Sequence, residues 1–179
     1  MRSDTLTSTL RGRYAQFERL IKLDTPAGRD RLVPLWVKGS ARLGRDYEFI
    51  VEAAALRDGP EIEARSLLGQ AVTLWIGQTD HSYIPIHGYV HHFAELGADG
   101  SCIYYQFRFS SWLYFLRLRR DQRDWQEKSG EQIMADVFGA HRQASAHTSY
   151  RFDLREPMPR YSYRMQWESD LNFVYRSME

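Results

Sequence analysis

The sequence predicts a mainly β protein with added helices (α+β). An antiparallel β-barrel-like domain is followed by helices and by the start of a second domain. Apolar and polar residues alternate with a period of two in several segments before about residue 110. Short turns separate these segments, as in antiparallel barrels and sandwiches. After Ser111 the apolar spacing changes to that of an α-helix.

Five segments before residue 110 have strand character. The predicted strands are Tyr14–Leu23, Tyr47–Ala53, Val72–Ile76, Tyr83–Leu96 and Ile103–Phe109. The fourth is long, with its even positions predicted on one face, and Gly88 is predicted to mark a bend or bulge in it. The turn Gly97–Gly100 suits a four-residue hairpin loop.

The chain after Ser111 alternates between helical and extended segments. Trp112–Leu118 is predicted to form a short helix. Ser129 stands three residues before Gln132, the spacing of a capping box, so a second helix is predicted to begin there. Its apolar stripe consists of Ile133, Met134, Val137 and Phe138. A loop, His141–Ser149, is expected to follow.

The last part of the chain contains two predicted strands and a final helix. The strands are Tyr150–Leu154 and Tyr161–Trp167, separated by the turn Glu156–Pro159. The helix begins near Ser169, with a stripe made of Leu171, Val174, Tyr175 and Met178. Because few residues remain to cover that stripe, the chain is expected to be cut inside a second domain.

Composition limits the possible functions. The net charge is +1, so no overall field attracts nucleic acid or a membrane surface. The single cysteine, Cys102, can form no internal disulfide. The N-terminus lacks the apolar region of a signal peptide, and no stretch reaches the roughly 20 apolar residues of a spanning helix. The protein is therefore expected to be made in the cytoplasm, without membrane anchoring.

Several residues could in principle perform chemistry. His81, His87, His91 and His92 are the candidate metal ligands, but adjacent strand residues point to opposite faces and no Cys, Asp or Glu completes a set of four. Asp80-His81-Ser82 contains the residue types of a catalytic triad, yet neighbours on a loop do not assemble one. Cys102 is predicted to be a small strand residue. No catalytic, cofactor-binding or metal-binding residue is therefore predicted.

The densest basic segment is Arg117–Trp125. Asp121, Asp124 and Glu127 lie among or beside its arginines, which favours salt bridges over nucleic-acid binding. The neighbouring aromatics are interpreted as core or oligomer interface, although a monomeric β-barrel binding module using them for a small ligand stays possible.

Four blocks of sequence, in order, resemble the VgrG family. Leu67–Gln70 precedes a strand, and Ile86–Gly88 lies within one. Phe107–Phe138 combines an aromatic run, an Arg-rich turn and a helix, and Arg160–Glu179 contains an aromatic strand followed by the pattern E-S-D-x-x-F. The resemblance covers about residues 14–179 and departs from the family at Gly39-Ser40-Ala41, where Gly-x-Glu is usual.

The resemblance implies a spike or baseplate hub protein of a type VI secretion system, similar to the hub of contractile phage tails. It implies four regions along the chain: an N-terminal tail (1–13), a first β-barrel hub domain (14–120), a helical connection (121–147) and a truncated second region (148–179). It implies a structural protein, not an enzyme, without cofactors. The full-length form is expected to be a homotrimer that docks on a hexameric tube protein, contacts baseplate and effector proteins, and leaves the cell through the apparatus. The long predicted strand Tyr83–Leu96 is the best candidate for an adhesive surface between its subunits. The alternative function is that of a baseplate hub component of a phage tail.

Overall fold

A computed structural model describes residues 16, 19–142 and 148–178 of the chain. The described residues form two compact units. The first contains the described residues up to Arg42 together with Asp46–Ser111, and the second contains Leu43–Arg45 and the residues from Trp112 onward. The structure thus divides after Ser111, where the apolar period changes, whereas the family resemblance implied that the first domain ends at residue 120.

The first unit is a six-stranded antiparallel sheet with one helical turn. Its elements are β1 (Ile21–Asp24), β2 (Val33–Ser40), β3 (Glu48–Leu56), α1 (Ala64–Leu67), β4 (Ala71–Gly77), β5 (Tyr83–Asp99) and β6 (Cys102–Ser110). The strand order is β1-β4-β5-β6-β3-β2. The edge strands β1 and β2 lie close together without pairing, so the sheet curls into a half-barrel.

The core of the first unit fills the concave side of this sheet. Its fully buried members include Leu23, Val51, Leu74, Phe107 and Phe109. The predicted alternation along β3, β4 and β6 is confirmed, because these residues point inward while their neighbours point outward. The predicted mainly β class with helices is also confirmed.

Two strands differ from the prediction at the start of the chain. The predicted strand Tyr14–Leu23 lies partly outside the described residues, and β1 begins at Ile21. The sequence did not predict β2. Its register shifts between Pro34 and Trp36, which destroys the two-residue alternation that identifies strands.

β5 is longer and more irregular than predicted. Its pairing with β6 shifts between Val90 and His92 and again between Glu95 and Gly97. Each extra residue reverses the alternation, so Val90 and Phe93 both pack on the core, and the prediction that all even positions share one face is wrong. The strand continues to Asp99, and only Gly100 and Ser101 connect β5 to β6. The prediction of a four-residue hairpin loop at Gly97–Gly100 is therefore wrong as well.

Gly88 is not itself a bulge. A Cβ atom there would lie 2.6 Å from the Phe109 ring and 2.6 Å from the Ser110 carbonyl oxygen. The residue is glycine because β6 approaches too closely for any side chain.

The second unit packs two helices and a 3₁₀ helix with a two-stranded sheet. Its elements are the 3₁₀ helix Trp112–Leu118, β7 (Arg123–Ser129), α2 (Gly130–Arg142), β8 (Arg160–Gln166) and α3 (Asp170–Met178). β7 and β8 pair antiparallel and are called the ribbon below. The buried core is formed by Leu116, Trp125, Ile133, Met134, Val137, Phe138, Leu171, Phe173 and Val174.

The capping box at the start of α2 is confirmed. The Ser129 backbone N–H donates to Gln132 Oε1 at 2.9 Å, and the Gln132 backbone N–H donates to Ser129 Oγ at 3.4 Å. Both bonds satisfy backbone groups that the helix itself leaves free.

Three predictions for the second unit are wrong. Residues 123–129 form a strand rather than part of a helical connection, and residues 150–154 form no strand. Leu171, Val174 and Tyr175 of the predicted α3 stripe pack on the core of the same unit. Met178 of the predicted stripe is exposed, whereas Phe173 is buried.

Candidate functional site

The E-S-D-x-x-F segment is a connected set of contacts at the start of α3. Glu168 Oε1 accepts hydrogen bonds from Arg176 Nε at 2.8 Å and from its terminal nitrogen at 2.6 Å. Ser169 Oγ accepts the Asn172 N–H at 3.3 Å, which caps the helix. Phe173 is fully buried.

Asp170 is the fully buried member of this motif. Its carboxylate accepts a hydrogen bond from Gln166 Nε2 at 2.5 Å and lies 2.6 Å from His141 Nε2 at the end of α2. Arg119 Nε lies 4.0 Å from the same carboxylate. A buried carboxylate requires such partners, so this motif residue joins β8, α2 and α3.

The basic segment Arg117–Trp125 forms salt bridges, as the sequence predicted. Arg119 donates to Asp121 Oδ2 at 2.8 Å, and Arg123 donates to the same oxygen. Partial burial acts to raise the pKa of Asp121, but the hydrogen bonds from Arg123 and Gln122 and the two guanidinium charges outweigh it, so this pKa is lowered. The segment thus neutralises part of its own charge.

The histidines considered above as candidate metal ligands are distributed over the first unit. His81 lies in the turn before β5, His87 Nδ1 lies 3.2 Å from Thr73 Oγ1, and His92 is exposed. In residues 16, 19–142 and 148–178, no group of three or more His, Cys, Asp or Glu residues could hold a metal ion.

One Ser-His-Glu arrangement was not predicted from the sequence. His91 Nε2 lies 3.0 Å from Ser110 Oγ and 3.6 Å from Glu48 Oε1. In a catalytic triad the acid contacts the ring nitrogen opposite the one that faces the nucleophile. Here both groups contact the same nitrogen, and Ser110 is buried, so the geometry is not that of a triad.

Asp80-His81-Ser82 is a turn, not a triad. The Ser82 N–H and hydroxyl both donate to Asp80 Oδ1, at 3.0 and 2.6 Å. The hydroxyl contact, followed by the backbone one, lowers the pKa of Asp80. Cys102 is fully buried with Val33 and Ala54 on the outer face of the sheet, consistent with a small packed residue.

A polar hollow of about 320 Å³ lies beside β1 and β4. Trp75 Nε1 donates to Asp24 Oδ2 at 2.7 Å, and Lys22 Nζ lies 3.8 Å above the Tyr83 ring. These contacts already pair the groups that would bind a ligand.

Two exposed aromatic side chains and a methionine form a row on the ribbon, called the aromatic stripe below. Tyr163, Met165 and Trp167 alternate along β8 and its end, and they are 51%, 42% and 64% exposed. On the first unit, Trp36 of β2 is 46% exposed. By contrast, the strand expected to be adhesive, β5, directs Ile86, Val90 and Phe93 into the core.

Comparison with known proteins assigns the chain to a family. Residues 40–179, well over half of the chain, match the phage tail baseplate hub (GPD) family. The chain belongs to this family. The match includes β3 to β6 and the ribbon with the motif at the start of α3.

The relatives include spike proteins of a secretion system. The chain is 26% identical over 166 residues to the type VI secretion system spike protein VgrG1b of Pseudomonas aeruginosa, covering 92% of this chain and 22% of that protein. It is 26% identical over 165 residues to VgrG1a of the same organism, covering 92% and 25%. The resemblance to the VgrG family is confirmed, and the chain spans about a quarter or less of these relatives.

Solved structures share the fold. The E. coli c3393 protein, described as a component of the type VI secretion system with structural similarity to the T4 bacteriophage tail proteins gp27 and gp5, matches with a TM-score of 0.71 at 21% identity, over 88% of this chain and 42% of that one. A 43 kDa tail protein of prophage MuSo2 from Shewanella oneidensis matches with a TM-score of 0.56 at 16% identity, over 88% of this chain and 46% of that one.

No helix among the described residues has the length and apolar character to span a membrane.

Proposed function

We propose that this chain is a structural part of the hub of a type VI secretion spike. The observation that supports this most is the baseplate hub family match over residues 40–179. The spike relatives align over 92% of the chain, so the similarity includes both units. The proposed role is mechanical: the chain supplies packed surfaces on which other subunits assemble.

The finer proposal concerns assembly of the longer protein. In that form it is a homotrimer that docks on a hexameric tube protein, contacts baseplate proteins and helps to deliver effectors. It is made in the cytoplasm and exported through the apparatus. A trimer contacts a six-fold ring well only if each subunit offers two similar faces, and a closed ring requires two different contact surfaces on every chain.

The proposed role requires no catalysis. Ser110, His91 and Glu48 do not have the geometry of a triad, and the buried Asp170 is held by Gln166 and His141. These contacts support a structural role for the groups that most resemble catalytic residues.

Binding to the tube protein tests the proposal. The full-length protein and this chain would each be analysed by light scattering and mixed with the tube protein of the same source. A trimeric full-length protein that binds the tube is expected. A full-length protein that stays monomeric at micromolar concentration and does not bind the tube contradicts the hub proposal and favours a monomeric ligand-binding module.

A phage tail hub is the second candidate. The family is that of phage tail baseplate hubs, and the fold is shared with a prophage tail protein. Binding to a phage tail tube protein, with no binding to a secretion tube protein, would favour this candidate.

A further inference from the structure

We propose that the aromatic stripe of the ribbon, formed by Tyr163, Met165 and Trp167, binds the outer face of β2 and β3 around Trp36 on a second copy of this chain. This inference rests on the proposed trimeric hub and names two surfaces that would form its contact. It concerns faces of the sheets rather than their edges.

The edges of the first sheet are poorly suited to strand addition. The Gln16 side chain occupies the edge of β1, because its amide donates to the Leu23 carbonyl at 3.0 Å and its oxygen accepts the Leu23 N–H at 2.5 Å. The other edge strand, β2, contains Pro34, the bulge that follows it and Lys38. Proline, bulges and edge lysines all oppose pairing with another strand.

The area of the stripe fits a protein interface. An aromatic side chain buries about 150–250 Å² when fully covered, so the partly exposed Tyr163 and Trp167, together with the smaller contribution of Met165, offer on the order of 300 Å². A stable interface buries about 800 Å² on each partner, of which somewhat more than half is apolar. The stripe therefore supplies roughly two thirds of the apolar area that such an interface needs.

The outer face around Trp36 continues onto an apolar cluster. Trp36 pairs across the strands with Glu52, two residues before Ala54 on the same face. Ala54 is fully buried with Val33 and Cys102, and Leu56 and Tyr104 pack against them. Because Val33, Ala54 and Cys102 are already covered within the chain, this cluster holds the sheet beside Trp36 in place, and Trp36 itself, at 46% exposed, supplies the apolar surface offered to a second copy.

Charges beside the two tryptophans are complementary. Glu52 and Lys38 flank Trp36, while Arg120 lines a hollow with Trp167 and Asp124 pairs with Met165. Within residues 16, 19–142 and 148–178, these four charged groups form no salt bridge; Glu52 only accepts a hydrogen bond from Gln106. Glu52 can therefore face Arg120, and Lys38 can face Asp124, on a second copy.

Because the two surfaces differ, the contact is head-to-tail, as a closed ring requires. Mixing two variants tests this directly. Sedimentation of this chain over a range of concentrations would be compared for the wild type, Trp36→Glu, Trp167→Glu and an equal mixture of the two variants. Leu68→Glu is the control, since Leu68 is similarly exposed at 42% but lies on neither surface.

We expect each tryptophan variant to weaken self-association by at least about tenfold, the size of a central interface residue. The mixture is expected to form dimers, because the intact stripe of one variant meets the intact Trp36 face of the other. Glu52→Arg is expected to weaken association, and adding Arg120→Glu to restore it. Circular dichroism would verify that each variant is folded.

Two results would overturn the inference. One is a wild-type chain that is monomeric at every concentration, and the other is association unchanged in the tryptophan variants. In the second case the hub proposal survives, since the copies then associate through other surfaces. Tube binding, measured separately, decides the hub proposal itself.

Discussion

The Phe173 ring of α3 stacks on the Trp125 indole of β7, with centroids 5.2 Å apart and planes inclined by 20°. Phe173 is the last residue of the E-S-D-x-x-F pattern, and Trp125 is the one buried side chain of its strand. The contact therefore connects two family blocks that are separated by about 48 residues in the sequence.

Replacing Phe173 by alanine should strongly destabilise the second unit. The ring is fully buried, so its loss leaves a cavity and is expected to lower the free energy of unfolding by about 3–5 kcal/mol. Urea denaturation would measure this change. Phe152→Ala is the control, because Phe152 is partly exposed and its loss should cost less than about 1 kcal/mol. Equal effects of the two changes would contradict the central role of Phe173.

Replacing Asp170 by alanine should also destabilise the second unit. His141 and Gln166 would lose their buried acceptor, and breaking a buried polar set of this kind costs about 3–5 kcal/mol. Hydrogen exchange of α2 and α3 would show whether both helices lose protection. Asp124→Ala, at an exposed position of the ribbon, should leave exchange unchanged; a comparable loss there would count against the specific role of Asp170.

Local sequence signals predicted much of the fold correctly. The capping box of Ser129 and Gln132 depends on residues three apart, so it can be identified without tertiary information. The strands β3, β4 and β6 are regular, and two-residue alternation was sufficient to place them.

Irregular and polar segments could not be predicted in the same way. The bulges after Val90 and Glu95 reverse the alternation, and nothing local distinguishes them from continuous strand. β7 buries only Trp125 and depends on pairing with β8, which lies more than 30 residues later. Residues 150–154 alternate like a strand, but extended backbone becomes a strand only when a partner is present.

The candidate surfaces were only partly predictable. The sequence indicated salt bridges within Arg117–Trp125 but assigned adhesion to β5 rather than to Trp36. Exposure depends on which face the rest of the chain covers, and composition alone does not determine that.

Gly88→Ala should destabilise the first unit, whereas Gly139→Ala should stabilise the second. A Cβ at position 88 would meet the Ser110 backbone oxygen at 2.6 Å, and such overpacking costs about 1–3 kcal/mol. At position 139, inside α2, no atom beyond the two adjacent residues and the helix's own nearby backbone lies within 4 Å of the added Cβ, so alanine should add about 0.5–1 kcal/mol by its higher helix propensity. Thermal unfolding of both variants would measure the changes. A tolerated Gly88→Ala would contradict the close approach of β5 and β6.

Tyr47 should make the stability of the first unit decrease at alkaline pH. Its hydroxyl donates to the His87 carbonyl, and burial, followed by the negative charge of Asp46, raises its pKa from 10.0 to about 12. The neutral phenol is thus favoured in the folded state. Its contribution to stability is complete below pH 10, where the unfolded chain is also neutral, and is lost as the pH rises through about 12.

Denaturation of the wild type and of Tyr47→Phe at a series of pH values would measure this contribution. Phenylalanine keeps the ring but cannot ionise, so the variant should lose stability less steeply than the wild type between pH 10 and about 12. Tyr89 and Tyr105, whose pKa values burial also raises, are present in both proteins and cancel in the comparison. Identical slopes would show that the Tyr47 hydroxyl ionises in the folded protein as it does in the unfolded chain, and would contradict its hydrogen bond to His87.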